Sequence, residues 1–248
     1  MKNKKMNLNG KTALVTGASG GIGSAIAQKL SAANCTVALA GRNLERLEEV
    51  QQSLLNDSII VEMDVSQSNN VAAGFEKTLK EFGKIDILVN AAGVMPLTYL
   101  KNRHLDEWLE TIEVNVKGTL RCVHEVLPSM KDQKAGHIVN IASVDGQEIL
   151  QGGAVYGASK AAVIELSRAM RMELSPEFNI RVTSIEPGTV DTDLREDITD
   201  EELLEDKDYG GDEAKMSTED IADAVYYALS QPNSVNVNEL MLKPTGKS

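Results

Sequence analysis

Residues 11–30 pass from an apolar run, Lys11-Thr-Ala-Leu-Val-Thr16, through the glycine-rich turn Gly17-Ala-Ser-Gly20-Gly21-Ile-Gly23 into an amphipathic helical pattern ending at Leu30. Few folds accommodate that order. Glycine lets a backbone turn sharply and lets another surface come close, and the helix that follows opens with unpaired N–H groups and a positive dipole end. A pyrophosphate suits that position. Gly17, Gly20 and Gly23 lie three apart, which is not the G-x-G-x-x-G form. A bare glycine loop could be a plain strand-to-helix turn, but the flanking strand and helix supply the context a dinucleotide motif requires.

The rest of the chain repeats the alternation. Apolar runs at Thr12–Thr16, Thr36–Ala40, Ser58–Glu62, Ile85–Asn90, His137–Ile141, Arg181–Glu186 and Val237–Leu242 are predicted strands, with helical patterns between them. This order indicates an α/β fold, a Rossmann-type doubly wound parallel sheet of about seven strands with helices on both faces. No repeat, low-complexity tract or linker interrupts it, so residues 1–248 are expected to form one domain.

Composition limits the partners. A net charge of −12 without a basic stripe argues against nucleic acid and anionic membrane. No run approaches about eighteen apolar residues, and the basic Met1–Gly10 lacks the apolar core of a secretory signal. Cys35 and Cys122, without C-x-x-C spacing, read as buried free thiols in a reducing cytosol, so a cytoplasmic location is expected. His104, His124 and His137 are scattered and form no ligand pair, so no metal site is expected.

Tyr156-Gly-Ala-Ser-Lys160 carries the chemistry. Residues four apart on a helix share a face, so Lys160 can bring its ammonium to the foot of the Tyr156 ring. A phenol titrates near ~10, and a neighbouring positive charge favours phenolate. Reaching ~7 needs roughly 4 kcal/mol, which one lysine seldom supplies without a cationic cofactor ring nearby. Tyrosine then trades a proton with an alcohol or carbonyl oxygen. Simple packing with a solvated amine is the alternative. Ser143 ends the buried run Ile138–Ser143, and strand ends of this kind bind ligands in open α/β sheets.

Together these residues resemble the short-chain dehydrogenase/reductases in their compact single-domain form. The resemblance runs from about Asn9 to the last strand. It rests on Thr16-Gly17-x-x-x-Gly21-Ile22-Gly23, Asp64, Asn90-Ala-Ala-Gly93, Asn115, Ser143, Tyr156-x-x-x-Lys160 and Pro187-Gly188. Ala91 departs from the family's usual Asn-Asn-Ala-Gly, with little effect expected. The resemblance implies that Tyr156 is the acid/base and that Ser143 holds the reacting oxygen. It also implies that Lys160 tunes Tyr156 and holds nicotinamide ribose, and that Asn115 anchors a water in a proton relay. A polar residue at a helix kink is the structural alternative for Asn115, and a turn-forming serine for Ser143. Cofactor contacts are expected from Gly17, Ser19, Gly20, Gly21, Ile22, Gly23, Arg42, Asp64, Val65, Asn90, Ala91, Ala92 and Gly93. Tyr156, Lys160, Pro187, Gly188, Val190 and Thr192 complete the set.

The second strand ends Ala40-Gly41-Arg42-Asn43 without an acid to hold a ribose 2′-OH, and the Arg42 fork suits a 2′-phosphate. NADP is therefore expected over NAD, with Ser19 adding a hydroxyl. A solvated arginine paired with Glu45 is the other reading. The acidic segment at about 193–215 reads as solvated surface, although in the family the corresponding segment is a substrate lid. Val94–Leu100, Val144–Gly153 and the lid should line the substrate pocket. Met95, Leu97, Ile149 and Leu150 would form an apolar wall, with Gln147, Gln151 and Asp145 as polar contacts and Arg195 as the lid arginine.

The C-terminal part looks like a subgroup acting on serine and other 3-hydroxy acids, and also resembles small-aldehyde reductases. The expected activity is NADP(H)-dependent interconversion of a small alcohol and its carbonyl. The alternatives are a catalytically silent NADP-sensing protein and an epimerase or dehydratase using bound cofactor. The family further implies a homodimer or homotetramer built on the Tyr156–Leu174 helix and the one around Asp106–Met130.

Overall fold

Val15 packs on one side of the first strand and Leu14 on the other, so a strand with both faces buried lies at the centre of the molecule. The computed structural model describes residues 7–206 and 214–245, with Arg195 described by its backbone alone. Its strands are β1 Thr12–Thr16, β2 Thr36–Gly41, β3 Ser58–Glu62, β4 Ile87–Asn90, β5 Gly136–Ile141, β6 Ile180–Pro187 and β7 Glu239–Leu242. They form one parallel sheet in the order β3-β2-β1-β4-β5-β6-β7. All seven expected strands are present.

Four strand starts differ: β5 and β6 begin one residue earlier than expected, and β4 and β7 begin two residues later, for a physical reason. Asp86 precedes β4 because its N–H donates to Thr12 O at 2.9 Å and its carboxylate accepts from Thr12 N at 3.0 Å and Lys11 Nζ at 2.7 Å. Lys84 Nζ adds a further contact at 2.9 Å. These bonds fasten β1 to β4 before the ladder begins. Val237 likewise precedes β7, its carbonyl accepting from Thr183 Oγ1 at 2.7 Å.

The helices are α1 Gly21–Ala32, α2 Leu44–Ser53, α3 Ser68–Phe82, α4 Leu105–Thr111, α5 Thr119–Gln133, α6 Ala154–Phe178, α7 Glu201–Glu205 and α8 Thr218–Leu229. A π-helical stretch, Ile112–Gly118, joins α4 to α5. Ile26 and Leu30 of α1 and Val225 and Leu229 of α8 pack with Val15 and Val37 on one face of the sheet. Phe75 of α3, Val126 of α5 and Leu174 of α6 pack with Leu14, Leu88 and Ile138 on the other. Cys35 and Cys122 are buried free thiols, and burial pushes each up to about 12.

Strand order reverses between β1 and β4, which opens a crevice beyond their carboxyl ends.

Candidate active site

A cavity of about 810 Å³ occupies that crevice. Gly17, Gly20, Gly21, Ile22 and Gly23 line one end. Gly17 has φ +64°, and a Cβ there would lie 2.7 Å from Ala92 N and Cα, so no other residue fits without strain. A Cβ on Gly23 would meet Gly17 O at 2.2 Å, which binds the turn closely to α1. Gly20 begins α1 without a side-chain cap, and the first turn holds no acid. The positive end of the helix therefore faces the cavity uncompensated.

Arg42, Asn43 and Arg46 line the cavity beyond β2, with Ser19 across from them. Asn43 Oδ1 caps α2 by accepting from Arg46 N at 3.1 Å. Arg46 Nη1 lies 3.4 Å from Asp193 Oδ2. Arg42 makes no hydrogen bond or ion pair among the described residues, so the expected alternative of a Glu45 partner is not realised. Arg46 was missed from the sequence, although its place one helical turn after Arg42 gave the signal. Asp64 and Val65 line the same end, with Asp64 Oδ1 accepting from Ser66 N at 2.9 Å.

Thr16 Oγ1 accepts from the N–H groups of Ala91 and Ala92, each at 3.1 Å, and so shapes the loop after β4. Ala91, Ala92 and Gly93 face the cavity, but Asn90 does not. Asn90 Nδ2 instead donates to Asn140 Oδ1 at 2.8 Å, and Asn140 Nδ2 to Ser167 Oγ at 2.8 Å. Asn115 also lies behind the wall. Its Oδ1 accepts from Val94 N at 2.9 Å, and its Nδ2 donates to Val94 O and Ser159 Oγ, each at 3.0 Å. It sits in the π-helical stretch Ile112–Gly118, an irregularity of the helix at the position where the alternative reading placed a kink. Pro187, Gly188, Val190 and Thr192 line the cavity after β6.

Ser143 extends from β5, and Tyr156 and Lys160 from α6; all three are buried and line the cavity. Lys160 Nζ lies 5.6 Å from the Tyr156 ring centroid and donates to Ile141 O at 3.0 Å. Gly93 passes beside it, since a Cβ there would be 3.5 Å from Nζ and 3.2 Å from Asn115 Oδ1. Lys160 alone does not bring the Tyr156 phenol below its ordinary range. Burial raises it above the ordinary tyrosine range and the Asp145 charge adds to this, while the Ser143 hydroxyl works the other way. Burial also brings Lys160 down to about 8, against the Asp145 charge. Burial disfavours charge on both groups, and the ammonium bonds a carbonyl rather than the phenol.

Ser143 has two local jobs. Its Oγ accepts from Asp145 N at 3.2 Å, capping the short turn Val144–Gly146, and donates towards Asp145 Oδ2 at 3.1 Å. Asp145 lines the cavity; burial raises its carboxyl, Ser143 and Lys160 draw it down, and Glu148 opposes them.

Met95, Leu97 and Leu150 form the expected apolar wall, while Ile149 lies at the cavity's margin with its side chain fully exposed. Gln147 and Gln151 do not line it; the Gln147 amide donates to buried Glu186, and Gln151 is exposed. Glu148 lines the cavity, within the expected Val144–Gly153 stretch; Lys243 and Pro244 also line it and were missed, Lys243 pairing with Glu148.

The acidic segment is not uniformly solvated. Leu194 and Asp197 face the cavity, while Ile198 and Leu203 pack with Leu97 and Tyr156. Asp200, 2 % exposed, accepts from Tyr99 N at 2.8 Å, Asn102 Nδ2 at 2.9 Å and Leu203 N at 3.2 Å. Burial pushes its carboxyl up, but these donors hold it below the ordinary range. Tyr99 Oη donates to Asp206 Oδ2 at 2.7 Å. The segment is thus latched to the loop after β4. Residues 207–213 and the Arg195 side chain lie outside the described structure.

Known proteins share this arrangement. Residues 11–203 match the short chain dehydrogenase family. An uncharacterized oxidoreductase of Staphylococcus epidermidis is 42% identical over 234 residues, 94% of this chain and 97% of that protein. The closed form of a serine dehydrogenase complexed with NADP+ superposes with a TM-score of 0.85 at 34% identity, over 96% of each chain. An alcohol dehydrogenase from the archaeon Thermococcus sibiricus, complexed with 5-hydroxy-NADP, gives 0.84 at 30% identity, over 96% of this chain and 98% of that one. This chain belongs to the short chain dehydrogenase family.

Proposed function

We propose that the protein is an NADP(H)-dependent oxidoreductase that interconverts a small alcohol and its carbonyl. The observation that carries this reading is that Ser143, Tyr156 and Lys160 share one cavity with the uncapped N-terminus of α1. The cavity fits the cofactor: the glycine turn leaves room for a pyrophosphate, and Arg42 and Arg46 offer two cations to a 2′-phosphate. Both solved relatives named above carry NADP or a derivative of it.

The residues that would hold the cofactor are Gly17–Gly23, Ser19, Arg42 and Arg46 at its phosphates and Asp64 and Val65 at adenine. Ala91–Gly93, Lys160 and Pro187–Thr192 would hold the nicotinamide end. Asn90 and Asn115 support these contacts from behind. When bound, the cofactor gives or takes the hydride.

The chain's own residues handle the proton and the oxygen. Tyr156, kept protonated by burial, donates to the carbonyl oxygen during reduction. Ser143 turns its hydroxyl to the same oxygen and stabilises the developing charge. Lys160, near 8, can hold or release a proton close to neutral pH beside Tyr156. The lid latch and the wall of Met95, Leu97 and Leu150 exclude water.

The two buried thiols and the negative net charge support a cytoplasmic location. Exposed Leu105, Leu109, Leu120 and Met172 on α4, α5 and α6 support a homodimer or homotetramer through those helices.

The test follows cofactor absorbance with NADPH or NADH and small aldehydes, and with NADP and L-serine or other 3-hydroxy acids. Turnover should favour the phosphorylated cofactor and fall roughly 100-fold or more in Tyr156→Phe. Tight NADPH binding without turnover would instead favour a sensor.

A further inference from the structure

The substrate end of the cavity carries a carboxylate with spare capacity. Asp145 Oδ2 lies 3.1 Å from Ser143 Oγ, and Asp145 Oδ1 accepts no hydrogen bond from the described residues. The cations nearby are already engaged. Lys243 pairs with Glu148, and Lys160 Nζ donates to Ile141 O. Arg46, at the far end, faces Asp193. A substrate entering here meets a carboxylate oxygen to which no described cation is hydrogen-bonded, immediately beside the hydroxyl that would hold its reacting oxygen.

We propose that Asp145 makes this site select alcohols and carbonyls that bear an ammonium group on the carbon next to the reacting one. This inference rests on the activity proposed above. A reacting oxygen held by Ser143 at about 2.8 Å would lie on the order of 5 Å from the Asp145 carboxylate. An ammonium one carbon away spans that gap and can donate to Oδ1. A carboxylate in the same place meets like charge from Asp145, and Lys243, beside it, already pairs with Glu148. L-serine has the required ammonium beside its hydroxymethyl carbon; a 3-hydroxy acid without an amine does not.

The experiment compares three alcohols that share CH3–CH(OH)–CH2–X and differ only in X: 1-amino-2-propanol, 1,2-propanediol and 3-hydroxybutyrate. kcat/KM is measured with NADP near neutral pH for the wild type, Asp145→Asn and Arg195→Ala. Ratios between substrates within one variant do not depend on the fraction folded or on a general loss of rate. The wild type should prefer the amine over the diol by about tenfold, the scale of one partly screened charge contact, and should turn over the acid least. Asp145→Asn should bring amine and diol within about threefold of each other, while Arg195→Ala keeps the wild-type order.

The inference is overturned if the amine-to-diol ratio is the same in wild type and Asp145→Asn. It is equally overturned if the wild type prefers the acid and Arg195→Ala removes that preference. Turnover of all three without charge preference defeats the inference and leaves the proposed activity standing. An inert wild type, towards these alcohols and small aldehydes alike, defeats both.

Discussion

At the scale of single residues, the site depends on which form of Tyr156 the pocket favours. Burial raises the phenol and the Asp145 charge adds to it, so the protonated form persists through neutral pH. In the proposed reaction, carbonyl reduction would use that form and alcohol oxidation the other. Oxidation should therefore rise with pH well into the alkaline range, and Asp145→Asn should move that rise to lower pH; an unmoved profile of log kcat/KM would exclude the coupling. Gly17→Ala should destabilise the protein by about 1–3 kcal/mol, because it places a Cβ against Ala92 at positive φ. NADPH affinity, read by fluorescence titration, should fall with it. Tyr156, Ser143 and Lys160 were legible in the sequence because helical spacing and a strand end placed them. The sign of the Tyr156 shift was not, since it depends on how deeply tertiary packing buries the pair. Arg46 was within reach of the same periodicity that found Lys160.

At the scale of elements, polar groups hold the irregular pieces. Asn115 satisfies both the N–H and the C=O of Val94 from within the π-helical stretch Ile112–Gly118. Asn115→Leu strands those groups and should cost about 1–3 kcal/mol in urea unfolding. Residue identity suggested a kink there, but no periodic pattern separates five-residue from four-residue helical bonding. Strands were more legible, since buried β-branched runs such as Thr12–Thr16 leave little choice of ends. The charges of the 193–215 segment were read as uniformly solvated because acid content says nothing about which acids find donors. Asp200 caps α7 and holds Tyr99 and Asn102. Asp200→Ala should remove about 1 kcal/mol of capping, speed proteolysis of the 193–206 segment and raise KM more than it lowers kcat.

At the scale of the whole molecule, the sheet separates holding from reacting. Its amino edge is fastened by Asp86, whose carboxyl burial pushes up but Lys11, Thr12 N–H and Lys84 hold below the ordinary range. A depressed carboxylate stabilises the fold above about pH 4, its unfolded pKa, and that stability is lost as pH falls through the folded value. Asp86→Asn should lose about 1–3 kcal/mol at neutral pH and show a flatter acid limb in pH-dependent unfolding. The parallel order β3-β2-β1-β4-β5-β6-β7 was legible as a class from the alternation of strands and helices; the Asp86 fastening was not, because its partners are distant in sequence. At the carboxyl edge, the latch from Asp200 and Asp206 to Tyr99 and Asn102 joins two stretches about a hundred residues apart into one cover. For anyone transplanting loops between relatives to alter what this scaffold accepts, the 95–104 and 193–206 stretches form a single cassette. Exchanged together they bring their own fastenings, whereas a graft of either half alone leaves donors on one side and carboxylates on the other without counterparts.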